Sequence, residues 1–580
     1  MKVALTALNA KYIHSSLALR YLKAYSQSEF PDIEIREYSI KEPILNILSD
    51  IYSEKPDVVG VSCYIWNIEQ TISLIKLLKK MMPDLIIVAG GPEVSFDLPV
   101  WFKKIKEIDY IVYGEGELSF HHLLKAIEQG YGFEDVSGIA YLDNGRPVIN
   151  SPRQKADLNL LPSPYNDPSD IEYLKDKVVY FEASRGCPFS CAYCLSSVET
   201  GVRFFPLERV KADLLKLINS GIKTIKFVDR TFNINKKFAL EIFRFLIENH
   251  EETIFQFEIT ADIMHPEVLN YLIDNAPKGI FRFEIGVQST NEITNYLINR
   301  RQNFSRLKET VLKLKEGGKI AQHLDLIAGL PEEDYQSFKK TFDDVFALKP
   351  GELQLGFLKI LRGTSIWEST EKYGYIYMDQ APYEILQNNV LSFADVIRLK
   401  RLEDILEKYW NAHRMDRTVE YLATREFETP FDFFQDFGEY WASNGWDRIG
   451  HQLESLFARL YDFLLSRKTA NIDFILSLME LDYFLNHKYK PRKTWWEFKL
   501  TKQEQNQIFK ELVEKPDEVS DDFSLLNLDE KRIHKHIMID IIPFDIETYL
   551  TVGKINKQKT LLILYYNPPN QPKYYFKKLE

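Results

Sequence analysis

SRGCPFSCAYCLSS, residues 184–197, decides how the rest of the chain is read. It places Cys187, Cys191 and Cys194 in a C-x₃-C-x₂-C pattern, and only Cys63 lies elsewhere. Three of four cysteines within eight residues make no disulfide framework and point to a metal site in a reducing compartment, so a cytoplasmic location is expected. Thiolates are soft ligands that suit zinc or iron–sulfur clusters. A structural zinc site wants four ligands, and the nearest histidines (His121, His122 and His250) lie more than 50 residues away. Three thiolates without a local fourth suggest a [4Fe–4S] cluster with one iron left open to a small chelating molecule. Three buried structural thiols would be the plain alternative. The glycine, proline and aromatic packed into the loop, and the spending of nearly all the chain's cysteine there, argue against it. Cys63 at a strand end reads as a small core residue.

Outward from the loop, short β-branched or aromatic runs alternate with amphipathic segments. Strands are expected at 178–183, 224–228, 255–260, 281–287, 321–327 and 353–359. Helices are expected at 206–220, 236–249, 266–275, 304–316 and 334–348. Six such units over residues 176–375 predict a partial (β/α)₆ barrel, with the cysteine loop directly after its first strand. Upstream, strands at 3–8, 34–38, 58–62, 85–89 and 110–113, with helices such as 68–80 between them, predict a doubly wound, flavodoxin-like α/β domain over 1–150. Asn144-Gly145 marks a hairpin. The proline-rich stretch 151–175 reads as a linker. From 376 to 580 the pattern becomes mainly helical and aromatic, with an acidic loop at 514–530 and a short terminal hairpin at 560–566 and 573–576.

The chain has 580 residues, 45% apolar and 27% charged, which excludes a disordered or fibrous protein. No uncharged apolar run is long enough to span a membrane. A net charge of −11 disfavours nucleic acid as a partner.

The cysteine loop, with Tyr193 just before the last cysteine, resembles that of the radical S-adenosylmethionine (radical SAM) superfamily. Phe257-Glu258-Ile259 and Ile285-Gly286-Val287-Gln288-Ser289 are similar to its third-strand acidic position and its G-V-Q-S strand end, and Asn299-Arg300 and the run Asp325–Pro331 (DLIAGLP) to motifs of its coproporphyrinogen-oxidase-like branch. The resemblance implies a [4Fe–4S] cluster on Cys187, Cys191 and Cys194. It also implies SAM contacts from Tyr193 (packing near the adenine), Glu258, Gln288, Arg300 and Asp325. The usual glycine-rich second-strand motif is replaced by 228–233 (VDRTFN), so Asp229 or Arg230 is expected to share in holding the SAM tail.

The glycine-bearing strand ends of the first domain look like a cobalamin-binding domain of the kind found ahead of radical SAM barrels. Ser62, Gly90, Gly91, Pro92, Gly114, Glu115 and Gly116 are the contacts this implies. The D-x-H-x-x-G motif is missing, so no histidine is expected on cobalt. His14 is expected as a loop residue near the corrin or a surface histidine. Arg362-Gly363-Thr364 and the aromatic tail are similar to a B12-binding radical SAM subgroup of unknown function.

The function so implied is reductive cleavage of SAM to a 5′-deoxyadenosyl radical, for methylation of an unactivated carbon. The alternatives are a B12-dependent rearrangement or cyclisation, or an iron–sulfur and corrinoid sensor or carrier. A methylthiotransferase is excluded, since it needs three further cysteines in the first domain. The partners implied are a small-molecule, lipid or peptide substrate and an electron donor such as flavodoxin or ferredoxin.

Overall fold

A computed structural model describes residues 1–198 and 201–579. The chain divides into two compact units, Met1–Val396 and Ile397–Glu580. The first strands are β1 (Val3–Asn9), β2 (Ile33–Ser39), β3 (Val58–Ser62), β4 (Ile86–Gly90) and β5 (Tyr110–Val112). They pair in parallel in the order β2-β1-β3-β4-β5. A hairpin, β6 (Ile139–Asp143) and β7 (Arg146–Ile149), adds two antiparallel strands at one edge. The expected turn at Asn144-Gly145 is present, both residues having positive φ.

Helices α1 (Leu17–Ser26), α2 (Ile44–Glu54), α3 (Ile68–Met81), α4 (Leu98–Lys104) and α5 (Gly116–Gln129) fill the crossovers. Successive side chains on a strand point to opposite faces. Val59, Val61, Ile87 and Ala89 therefore pack with α2, α3 and α4, while Val3, Leu5, Val58 and Val88 pack with α1 and α5.

The stretch read as a linker is no tether. Ala156, Leu158, Leu161 and Tyr165 are buried, and residues 168–174 form a helix, α6 (Pro168–Leu174), capped by the Asp167 side chain. Arg209 donates to the carbonyl of Leu158 at 3.1 Å and of Pro162 at 3.1 Å. Arg20 is 2% exposed, and its Nε and Nη2 donate in parallel to Asp170 at 2.8 Å each, with Glu37 at 2.9 Å on the other side. Prolines signal irregular backbone, but they carry no information on whether that backbone is packed.

The second sheet is a six-stranded, all-parallel open barrel. Its strands are β8 (Val178–Phe181), then, after a short hairpin of β9 (Ser184–Cys187) and β10 (Gly201–Phe204), β11 (Thr224–Phe227), β12 (Ile254–Ile259), β13 (Phe281–Gln288), β14 (Ala321–Ala328) and β15 (Glu352–Phe357). The β9–β10 hairpin was not anticipated. Helices α7 (Leu207–Asn219), α8 (Lys236–Asn249), α9 (Pro266–Asn275), α10 (Glu292–Leu297), α11 (Phe304–Gly317) and α12 (Tyr335–Phe346) follow in turn.

The outward strand faces are closed by phenylalanine. Phe227 and Phe257 stack at 4.3 Å, and Phe243 of α8 meets Phe257 edge-on at 5.1 Å. The other face of each strand is polar.

The expected domain boundary at 375 falls inside the first unit. After a helical turn, α13 (Ser365–Glu368), the two-stranded ladder of β16 (Ile376–Tyr377) and β17 (Ile385–Gln387) returns to the barrel, with Ile385 N donating to Leu358 O at 3.0 Å.

The second unit is mainly helical, with its longest helices at Pro430–Ser443, Leu453–Ser466, Ile472–Leu485 and Lys502–Glu514. Its end is a three-stranded antiparallel sheet rather than a hairpin: β18 (Ile537–Ile542), β19 (Thr560–Tyr565) and β20 (Lys573–Lys578). The acidic stretch 514–530 also holds short helical turns at Pro516–Glu518 and Asp521–Ser524.

Candidate active site

The cysteine loop leaves β8 at the C-terminal rim of the barrel, where α/β barrels carry their chemistry. Its entry is fixed by Asp229, which is 2% exposed at the end of β11. The Asp229 carboxylate accepts from Ala183 N at 3.0 Å and from Ser184 Oγ at 2.5 Å. Burial pushes its pKa up to about 7 against these hydrogen bonds. Asp229 is therefore committed to the loop, which removes it from the set expected to hold the SAM tail. Gly186 (φ +101) needs glycine, because a Cβ there would overlap the Gly201 carbonyl.

The three thiols are free; Cys187 and Cys191 are buried and Cys194 is half-buried. Burial and the neighbouring Cys194 and Cys191 raise the Cys187 pKa. Among the described residues no three metal-ligating side chains are gathered as one bound ion would need. A cubane reached by one thiolate at each of three irons needs a wider triangle than zinc. The donor set, three soft thiolates with no local fourth, fits such a cluster.

Arg300 holds the loop from the far side. Its guanidinium donates to Tyr193 Oη at 3.1 Å, approaches Cys191 Sγ at 3.8 Å, and also donates to Gln302 and to the Gly286 carbonyl. The expected SAM residues thus separate. Tyr193 and Arg300 brace the cysteine loop, whereas Glu258, Gln288 and Asp325 stand on three neighbouring strands of the polar face.

Burial raises the Glu258 pKa against the pull of Arg230, whose guanidinium is 3.4 Å away and half exposed. Gln288 has φ +69, and its buried Oε1 has no partner. An unpaired buried acceptor is costly, so it is a natural place for a ligand donor. Gly286 leaves room for the Gln288 amide, which a Cβ would strike.

Sequence reasoning missed the partners on this face. His323 Nε2 meets Asp325 at 3.0 Å, and Arg282 donates to Glu352 at 2.7 Å across β14. Lys226 donates to both oxygens of Glu284 at 2.8 Å across β12. Burial alone would lower the His323 pKa, but hydrogen bonds to Asp325 and Glu352 outweigh it and hold it at about 9. The signal was present in the sequence: polar residues recur at every second position of each strand.

At the first sheet, β3, β4 and β5 end side by side. Buried Ser62 Oγ has no hydrogen-bond partner, nor has Thr6 Oγ1 or Thr71 Oγ1. Gly114 (φ +74) has open space where a Cβ would stand. These features fit a large ligand with polar groups approaching the backbone. Gly90 is half-buried and Pro92 exposed at the same edge.

Two expected contacts have other duties. Gly91 (φ +112) is glycine because a Cβ would strike the Cys63 carbonyl. Glu115, beside Gly116, accepts from Ala156 N at 2.8 Å and pairs with Arg203, while Glu117 pairs with Arg185 at 2.8 Å. Cys63 is fully buried, its thiol pushed up to about 12, as a core residue should be. His14 is not a plain surface histidine: its Nδ1 is 2.9 Å from Tyr180 Oη on β8.

Comparison with known proteins agrees with both halves of this architecture. Residues 3–124 match the B12 binding domain model and 181–345 the radical SAM superfamily model. The chain thus carries a match to a B12 binding domain followed by a match to a radical SAM domain. Residues 371–564 match the family described as "Protein of unknown function (DUF4080)".

It is 32% identical over 235 residues to the uncharacterized methyltransferase PH0819 of Pyrococcus horikoshii, covering 39% of this chain and 51% of that one. It is 28% identical over 268 residues to the cobalamin-dependent radical SAM methyltransferase TokK of Streptomyces tokunonensis, covering 43% and 38%. The chain thus spans about half or less of the length of these relatives. In fold it is similar to the cobalamin-dependent SAM radical enzyme OxsB with aqua-cobalamin bound. The TM-score is 0.59 at 16% identity, over 83% of this chain and 79% of the other.

Proposed function

We propose that this protein is a cobalamin-dependent radical SAM enzyme that methylates an unactivated carbon. The observation that carries the reading is the three-thiolate loop at the barrel rim, facing polar side chains that include an unpaired buried amide oxygen. When bound, a [4Fe–4S] cluster supplies one electron for cleavage of SAM, and a corrinoid supplies a transferable methyl group.

Cys187, Cys191 and Cys194 would hold the cluster. Arg300 and Tyr193 keep the loop in place. Glu258, Gln288 and Asp325 offer acceptors to the ribose hydroxyls and ammonium of SAM. The half-exposed Arg230 is the cation available for its carboxylate. Ser62, Gly90 and Gly114 form the sheet edge on which the corrinoid would rest, with no D-x-H-x-x-G motif to supply a histidine to cobalt. An electron donor such as flavodoxin or ferredoxin completes the proposal.

The test is anaerobic reconstitution with iron, sulfide and cobalamin, reduction with dithionite, and assay of 5′-deoxyadenosine. Wild type should release it and the Cys187→Ala, Cys191→Ala, Cys194→Ala triple variant should not. Full iron content in the triple variant, or no 5′-deoxyadenosine from a wild type that carries the cluster, would sink the reading. Methyl transfer is separated from rearrangement or cyclisation by following label from methyl-labelled SAM into the cobalamin.

A further inference from the structure

We propose that the segment Leu361–Ile366 is a strap that sets the spacing between the corrinoid edge of the first sheet and the cysteine loop, with Arg362 and Gly363 as its positioning residues. This rests on the reading above, since the spacing matters only if both groups are bound.

One end of the strap is fastened to the loop after β4. Arg362 Nη1 donates to Tyr383 Oη at 3.1 Å, and its guanidinium lies over the rings of Trp101 (5.4 Å) and Tyr383 (5.1 Å). Tyr383 Oη in turn donates to Glu93, which is 8% exposed and directly follows Gly90-Gly91-Pro92. Glu93 N donates to Cys63 O at 3.2 Å, tying the loops after β3 and β4 together. Gly363 has φ +85, and a Cβ there would stand well inside contact of the Phe96 ring. The backbone therefore rides directly on that ring.

The other end reaches the cysteine loop within three residues. Thr364 is 1% exposed and caps α13, and Ile366 N donates to Ala192 O at 2.9 Å. Ala192 lies between Cys191 and Cys194, and its own N donates to Ile298 O at 2.9 Å. Six consecutive residues thus touch both loops that the proposed chemistry would join. A plain surface loop would need neither the guanidinium stacked on two rings nor a glycine pressed on a third. Methyl transfer by a radical route requires the substrate carbon to meet first one group and then the other, so their separation is a chemical parameter.

The experiment uses full-length protein loaded with cluster and cob(II)alamin. The spin–spin coupling between cob(II)alamin and the reduced cluster is read by pulsed electron paramagnetic resonance. Wild type should give one narrow distance. Gly363→Ala should keep iron and cobalamin content but shift or broaden that distance, and Phe96→Ala in the same chain should bring it back towards wild type. If Gly363→Ala does not fold, Arg362→Gln reads the same coupling, because that side chain is already a quarter exposed. A wild-type protein that binds neither group overturns the enzyme reading and the strap's role with it. Both groups bound, with a coupling indifferent to Gly363→Ala and Arg362→Gln, overturns the strap alone.

Discussion

Gln288 separates a ligand role from a fold role, and Asp325 combines a ligand role with its contact to His323. Neither side chain holds the cysteine loop, and Gln288 Oε1 is buried without a partner. Losing a hydrogen bond to a charged ligand costs about 1.5–3 kcal/mol, roughly tenfold to a hundredfold in affinity. Gln288→Ala or Asp325→Ala should weaken SAM binding by that factor in equilibrium dialysis while cluster absorbance stays at the wild-type level.

His323 makes a pH prediction. Its folded pKa of about 9 lies above the ordinary 6.5, so the stability it contributes is complete below pH 6.5 and is lost as pH rises through 9. Between pH 6.5 and 9.5 the wild-type Tm should fall further than that of His323→Gln; equal falls would show that the Asp325 and Glu352 contacts do not hold the proton. The three-cysteine loop was legible as a unit because its thiols are neighbours in sequence. Arg185 with Glu117, or Asp229 with Ser184, was not, because pairs 68 and 45 residues apart leave no local pattern.

At the scale of elements, the strand–helix alternation was readable because each barrel strand carries a strict period-two pattern, as in 281–287, where Phe281, Phe283, Ile285 and Val287 are all fully buried. The hairpin of β9 and β10 escaped because its strands have four residues each and hold glycines and Cys187. β18 escaped because IMIDII is a short, nearly unbroken apolar run beside helical patterns, a case periodicity cannot decide.

The hairpin depends on Asp229 at the β11 end. Asp229→Ala would leave Ala183 N without its acceptor, a loss of about 1–3 kcal/mol. It should lower both the Tm and the iron retained per chain. Normal iron loading in a stable Asp229→Ala protein would show that the loop orders itself without this anchor.

For the whole molecule, the two compact units are held by different means. The first is built on one mixed, mostly parallel sheet and one all-parallel sheet. The second includes a buried carboxylate, Glu480, which is 0% exposed and pairs with Lys499 at 2.9 Å. Burial raises the Glu480 pKa to about 7 against the pull of Lys499. Removing the lysine strands the charge. Breaking a fully buried pair costs about 3–5 kcal/mol, and because Lys499 keeps 37% of its side chain exposed a loss of about 1–3 kcal/mol is expected. Lys499→Met should be hurt more at pH 8 than at pH 5, where Glu480 can take up a proton. Urea unfolding of the full chain at the two pH values checks this, and an equal loss at both would show that the pair is not the cause. No described helix is long and apolar enough to cross a membrane.

The Arg20–Asp170 fork also bears on the order in which the protein can mature during synthesis. A nascent chain that has emerged only as far as β7 already contains every strand of the first sheet, and Arg20 then has Glu37 of β2 but not yet its second carboxylate, Asp170 of α6. The loop after β1 waits longer still, because Ile13 O and His14 pair with Val178 on the first barrel strand. About 20–30 further residues must therefore emerge before Asp170 and Val178 can complete these contacts, a count that follows from their positions beyond β7 and from the pairing of a buried charge. A polypeptide released at residue 150 would keep the Arg20–Glu37 pair but would leave the other side of that buried guanidinium, and the loop after β1, without their partners.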